Sequence, residues 1–212
     1  MMSKYSTKQV EYKALRTLEI VCQYPTGRLV LCDRPDLQDD NASYGVEVVE
    51  DCQENQRIVE SIIPDIWEKK YSTIPSHKLK ALRKYGGQEG VTDGIVNWCL
   101  VGEGPTDINH LLSTIQTKIK KLNEGGYKSF HSYGLFVFVD TVALYDSYVA
   151  SLLEDLSKLQ YPIMYKTIYL EQHFEILICD TKTKTYTRKQ ILKADRDSIN
   201  NEVKEFGKTD CR

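Results

Sequence analysis

The sequence predicts one α/β domain in which helices flank a central mixed β-sheet. Three observations carry this. Short apolar runs suited to strands alternate with longer stretches of helical periodicity. The run Tyr133–Val139 (YGLFVFV) is continuously apolar instead of alternating, the pattern of a strand buried on both faces. Finally, 212 residues with 41% apolar and 27% charged content suit a compact domain able to bury its own core.

Each element follows from local pattern. From Thr7 to Cys22, residues Val10, Ala14, Leu15, Leu18, Val21 and Cys22 fall on one helical stripe, and Pro25 and Gly27 end it. Arg28 to Cys32 reads as a short strand stopped by Asp33-Arg34-Pro35-Asp36. Gln38-Asp39-Asp40-Asn41 reads as a polar turn, and Tyr44 to Val49 as a second strand. Helical spacing returns from Asp51 to Ile63, with Pro64 expected to break or kink it. The glycine-rich stretch from Lys69 to Gly94 is expected to be an insertion, at about 69–94, carrying a short basic helix around Lys78 to Lys84. Ile95 to Val101 is strand-like. Thr106 is a good N-cap for a helix running to Leu122, closed by Gly125-Gly126. After Tyr133–Val139 come a helix from Asp146 to Leu159 and strands at Lys166–Leu170 and Phe174–Cys179. A charged tail from Thr181 follows, ending in a surface helix.

Composition excludes several classes. Net charge is −2, so nucleic-acid binding would require lysines gathered on one face. The six cysteines show no CxxC or CxxH pairing, which argues against zinc. Five lie in or beside apolar runs, as small buried hydrophobes do, and a reducing compartment is expected. The polar N-terminus carries no apolar run, and no stretch reaches the ~18 residues of a membrane span, so a soluble cytoplasmic protein is expected. No nucleophile elbow, Walker A or GxGxxG motif is present. The four histidines, His77, His110, His131 and His173, read as surface residues.

The chemistry-bearing feature is a pair of carboxylates. A strand ends in Pro35-Asp36, and the next carries Glu47 inside the apolar run Val46-Glu47-Val48-Val49. A glutamate among valines is costly unless paired or metal-bound, or unless the strand is an edge and Glu47 faces water, and two hairpin neighbours can bring Asp36 and Glu47 to one end of the sheet. Such a pair suits Mg²⁺ or Mn²⁺, which needs one or two carboxylates beside water and phosphate oxygens. Glu11 falls within the apolar stripe of the first helix and needs a partner, either a metal site or a buried arginine, unless it lies just beyond the covered part of the helix.

Helix with a buried Glu, strand to Pro-Asp, strand with Glu, then helix resembles the PD-(D/E)xK, restriction-endonuclease-like nuclease superfamily. The segments Arg34-Pro35-Asp36-Leu37-Gln38 and Tyr44-Gly45-Val46-Glu47-Val48 look like uncharacterised bacterial proteins of that group. The resemblance covers residues 6 to 50, and implies a Mg²⁺-dependent nuclease acting on DNA or RNA. Asp36 and Glu47 would hold the metal, with Glu11 as a third carboxylate. The family's lysine would stand two residues after the glutamate, where this chain has Val49. The resemblance implies substitutes on neighbouring helices: Gln53 or Gln56, or Lys118, which flanks its apolar stripe. The expected partner is a nucleic acid, DNA ahead of RNA, with homodimerisation left open and no membrane. A degenerate nuclease that binds without cutting is a further reading.

Two alternatives compete. Gly102-Glu103-Gly104-Pro105-Thr106-Asp107, with Asp140 after the apolar strand, resembles part of a Toprim carboxylate set, although the second Asp of Asp-x-Asp is Val142. Alternatively the fourteen tyrosines and the basic stretches Lys69-Lys70, Lys78–Lys84 and Lys118–Lys121 serve a non-catalytic nucleic-acid or protein-binding module.

Overall fold

The structure is a computed structural model that describes residues 6–51, 54–100, 108–140, 142–172 and 174–209, without the side chains of 54–57 and 100. In chain order the elements are α1 (Thr7–Ile20), β1 (Leu29–Leu31), β2 (Leu37–Asp39), β3 (Tyr44–Asp51), α2 (Glu54–Ile66), a 3₁₀ turn (Tyr71–Thr73), α3 (Ser76–Lys84), β4 (Gln88–Thr92) and β5 (Ile95–Leu100). There follow α4 (Ile108–Glu124), β6 (Ser132–Val139), α5 (Asp146–Ser157), β7 (Thr167–Gln172), β8 (Glu175–Asp180), β9 (Thr185–Gln190) and α6 (Lys193–Thr209). The chain divides into two compact units, one of Cys52–Thr106 and one of Tyr5–Asp51 with Asp107–Arg212. The stretch 69–94 lies inside the smaller unit.

The larger unit is α/β, built on a seven-stranded mixed sheet of order β1-β2-β3-β6-β7-β8-β9. The pairs β3–β6 and β6–β7 are parallel and all others antiparallel. β6 therefore sits mid-sheet, and seven of its eight residues are buried, which explains its unbroken apolar run. Alternate residues Tyr133, Leu135, Val137 and Val139 pack under Leu111, Ile115 and Ile119 of α4 and Val149, Leu152 and Leu156 of α5. The intervening Phe138 faces the other side, where Lys13 of α1 lies 4.4 Å from its ring centroid. α6 covers α1: Tyr12 stacks on Phe206 with centroids 4.3 Å apart, and Arg16 Nε lies 2.7 Å from Glu202.

Four expectations change. Gln38 and Asp39 are not in a solvent-facing turn; with Leu37 they form β2 and are buried. Their polar groups are satisfied locally, since Gln38 Nε2 donates to the carbonyls of Asp33 and Pro35 and Asp39 accepts from the Ser43 amide. Of the break or kink expected at Pro64, the break does not occur: α2 runs on to Ile66, whose burial with Val59 and Leu82 in the smaller unit's core holds the last turn. The charged tail contributes a strand, β9, whose Thr-Tyr-Thr-Arg-Lys-Gln sequence suits a largely exposed sheet edge. Cysteine burial holds for Cys179, but Cys32 is exposed, and Cys22, Cys32, Cys99 and Cys179 are all free thiols. Among the described residues, no helix is long and apolar enough to cross a membrane.

Candidate functional site

The site is built on the β2–β3 pairing. Leu37 lies opposite Val46 and Gln38 opposite Gly45, so the same register carried one step back sets Asp36 across from Glu47. The Pro35-Asp36 turn is seated tightly. Gln38 Nε2 holds the Pro35 carbonyl at 2.9 Å, and Asp36 Oδ2 accepts the Val48 amide at 2.7 Å. Gly45 is required beneath it, since a Cβ there would lie 2.5 Å from Pro35 Cγ.

Glu47 pairs in register with Leu135, so it points to the α4 side of the sheet. It is only 6% exposed. Lys118 descends from α4 and places Nζ 2.7 Å from Glu47 Oε1. The other oxygen, Oε2, is buried and makes no hydrogen bond of good geometry among the described residues, although the Tyr127 phenol lies within bonding reach of this carboxylate. A buried carboxylate oxygen left in this way is costly, and its position marks where a ligand would be accepted.

The electrostatics report one crowded acidic centre. Burial first, then the charge of Glu47, raises Asp36 to about 6, against the opposing pull of the Val48 amide and of Lys118. Burial, then the charges of Asp36 and Glu47, raises Glu11 to about 7. The phenols of Tyr127 and Tyr165 are pushed up by burial and then by Glu47. Lys118 at Asp36 and Glu47, and Lys8 at Glu11, only partly offset three carboxylates that repel one another, and a divalent cation would relieve the remainder.

The structure brings Asp36, Glu47 and Lys118 together, and Glu11 lies close enough to feel both carboxylates. Glu11 does not pair with a buried arginine: Arg16 engages Glu19 and Glu202 instead. Among the described residues, no three His, Cys, Asp or Glu side chains form a ready metal cage, so Asp36 and Glu47 stand as a pair with Glu11 outside. Gln53 lies outside the described residues, as do Glu103 and Asp107; the side chain of Gln56 is likewise undescribed. Asp140 follows β6, with Oδ2 buried and no partner among the described residues. Lys120 and Lys121 are exposed, Lys120 pairing loosely with Glu124 at 3.7 Å.

Two features went unread in the sequence. His110 is not a plain surface residue: its Nδ1 lies 2.7 Å from Oδ1 of the fully buried Asp51, which also accepts from Thr114 Oγ1 at 2.8 Å. Strand alternation could have found Asp51, four residues after Glu47 and on the same face. Tyr127, after the Gly125-Gly126 that ends α4, had no comparable signal.

No protein-family model, curated protein or solved structure matches the chain.

Proposed function

We propose that this protein is a metal-dependent nuclease of the PD-(D/E)xK, restriction-endonuclease-like kind, hydrolysing phosphodiester bonds of DNA or RNA. The observation that carries this reading is Glu47: buried opposite Asp36, paired through one oxygen with Lys118, and without a hydrogen bond of good geometry at the other. The order of elements supports it as well: α1, the antiparallel β1-β2-β3, then α4 and the parallel β6.

The donor set fits Mg²⁺ or Mn²⁺, because it consists of hard carboxylate oxygens and includes one without a hydrogen bond of good geometry. Asp36 and Glu47 would hold the ion, with Glu11 acting from outside the pair. When bound, the cation would lower the pKa of a water and offset charge on the phosphodiester. Lys118 stands where the motif lysine's charge is needed. Its ammonium, held by Glu47, orients donors toward the same centre and stabilises negative charge that develops there. Asp36, fixed by the Val48 amide, supplies a positioned carboxylate for the cation, and its raised pKa without metal reflects burial and the nearby charge of Glu47 that a bound cation would offset.

The test is a Mn²⁺ titration read by thermal melting and by cleavage of labelled DNA and RNA. At about one hundred times the dissociation constant, binding stabilises by ~2.7 kcal/mol, or about 5–10 °C for a chain of this size. Asp36→Asn, which keeps an acceptor for the Val48 amide, is expected to melt at least as high as the parent without metal and to lose both the shift and the cleavage. A parent protein showing neither metal shift nor cleavage would overturn the reading.

A further inference from the structure

We propose that the Gly125–Lys128 loop and the Arg34 turn together form a phosphate-binding rim beside the carboxylate centre, with Arg34 and Lys128 contacting the backbone of a polynucleotide. The inference rests on the nuclease reading of that centre and names the residues by which it receives its substrate.

The two segments are joined. The Lys128 amide donates to the Arg34 carbonyl at 3.1 Å, which ties the exit of α4 to the residue two before Asp36. Gly126 adopts φ +91, and a Cβ there would stand 3.6 Å from Arg34 Nη1, so the guanidinium lies over the glycine backbone. Gly125 is also left-handed at φ +92, and these two glycines let the chain turn sharply out of α4. Between the segments lies Tyr127, whose phenol feels Glu47, Asp36 and Arg34 together. The rim is therefore contiguous with the acidic centre.

Its cations point outward. The Arg34 side chain is 67% exposed, and its ion partner, Asp33 at 3.9 Å, is more exposed still, so that contact does little to hold it. Lys128 is exposed, its stem over Phe130 with Nζ 5.5 Å from the ring centroid. An electrostatic need favours this arrangement. The chain's net charge is −2 and the centre gathers three carboxylates against Lys118 and Lys8, so a polyanion would be repelled without further cations at its edge. Arg34 and Lys128 supply two at the turn that delivers Asp36. Their chemistry suits phosphate oxygens, the guanidinium by paired donors and the ammonium as a point charge. Neither reads base identity there, so binding through the rim is tolerant of sequence.

The experiment measures binding of fluorescent 20-mers, duplex DNA and RNA of the same sequence, by anisotropy across a salt series. The full-length protein is used with Ca²⁺ in place of Mg²⁺. Each phosphate contact contributes about 0.9 to the slope of log affinity against log salt on duplex DNA. Arg34→Gln and Lys128→Gln are each expected to flatten the slope by about that amount. The double variant should lose about tenfold or more in affinity at moderate salt. Lys208→Gln, on exposed α6, should change nothing. Loss in either polymer supports the rim and says which backbone it takes. A double variant that melts like the parent and binds with unchanged slope overturns it, as does a parent protein that binds neither polymer. The two readings separate by the Mn²⁺ melting shift. If the rim alone is wrong, the double variant keeps that shift and its binding. If the metal reading alone is wrong, the parent shows no shift while the slope still flattens.

Discussion

Lys118 Nζ sits 2.7 Å from Glu47 Oε1, so the ammonium at this centre is delivered by a helix lying over the sheet, not by the strand that carries the glutamate. The reason is visible at Val49. It lies two residues beyond Glu47 on the same face and is half-buried against the apolar core, where an aliphatic side chain adds packing that an ammonium would not. From α4 the long stem of Lys118 covers apolar surface while its head reaches the carboxylate.

Removing that head should separate stability from chemistry. Lys118→Met keeps the stem's bulk and leaves Glu47 buried without a cation. Breaking such a pair costs about 3–5 kcal/mol when both partners are fully buried. Lys118 keeps 19% exposure, so about 2–3 kcal/mol is expected in urea unfolding. The variant should gain more from Mn²⁺ than the parent does, since both oxygens of Glu47 become available. Its cleavage should fall by about a hundredfold or more. A variant cutting at the parent's rate would remove Lys118 from the chemistry.

The same centre sets a pH dependence. A carboxyl whose pKa is raised on folding binds its proton more tightly in the folded state, so stability falls as pH rises between its unfolded and folded values. For Asp36 the window runs from 3.8 to about 6, and for Glu11 from 4.5 to about 7. Metal-free protein should therefore melt progressively lower across that span. Saturating Mn²⁺ should flatten the trend, and Glu11→Gln should remove its upper part. A melting temperature that climbs through this window in metal-free buffer would show that burial and the neighbouring charges do not hold these protons as described.

Much of this centre could be read from the chain because its physical signals are local. Glu47 stands among valines, Pro35-Asp36 ends a strand, and Lys118 flanks a periodic apolar face; each is an anomaly in a short window. The apolar run of β6 announced the middle of the sheet in the same way. What escaped depends on pairing across distance. Gln38 and Asp39 look like turn residues until their partners, the Asp33 and Pro35 carbonyls and Ser43, are known. β9 carries a charged sequence because it is an edge, and α2 passes through Pro64 because Ile66 is buried in a core that the sequence does not display. The Asp51–His110 contact joins residues 59 positions apart, which no window can register.

That contact makes its own prediction. Asp51 Oδ1 accepts from both His110 Nδ1 and Thr114 Oγ1, pinning the start of α4 to the end of β3. Losing one donor leaves the other, so His110→Ala or Thr114→Val alone should cost about 1 kcal/mol. The double variant removes both of these donors and should cost about 2 kcal/mol. A double variant as stable as the parent in urea unfolding would show that neither contact pins α4.

Gly45 tests how tightly the metal-holding carboxylate is tied to the sheet beneath it. A methyl group at this position would meet Pro35 Cγ at 2.5 Å and Phe130 Cδ2 at 3.1 Å. Gly45→Ala must therefore displace the Pro35 turn or Phe130, at about 1–3 kcal/mol. Because Asp36 follows Pro35 directly and takes its orientation from the Val48 amide, the displacement should also weaken the Mn²⁺ response. Gly134→Ala is the matched control. Its Cβ would lie 2.2 Å from the Tyr44 hydroxyl, so it should lower stability to a similar degree while leaving the metal response intact. Equal loss of the Mn²⁺ shift in both variants would mean that the response tracks general stability and not the seat of Asp36.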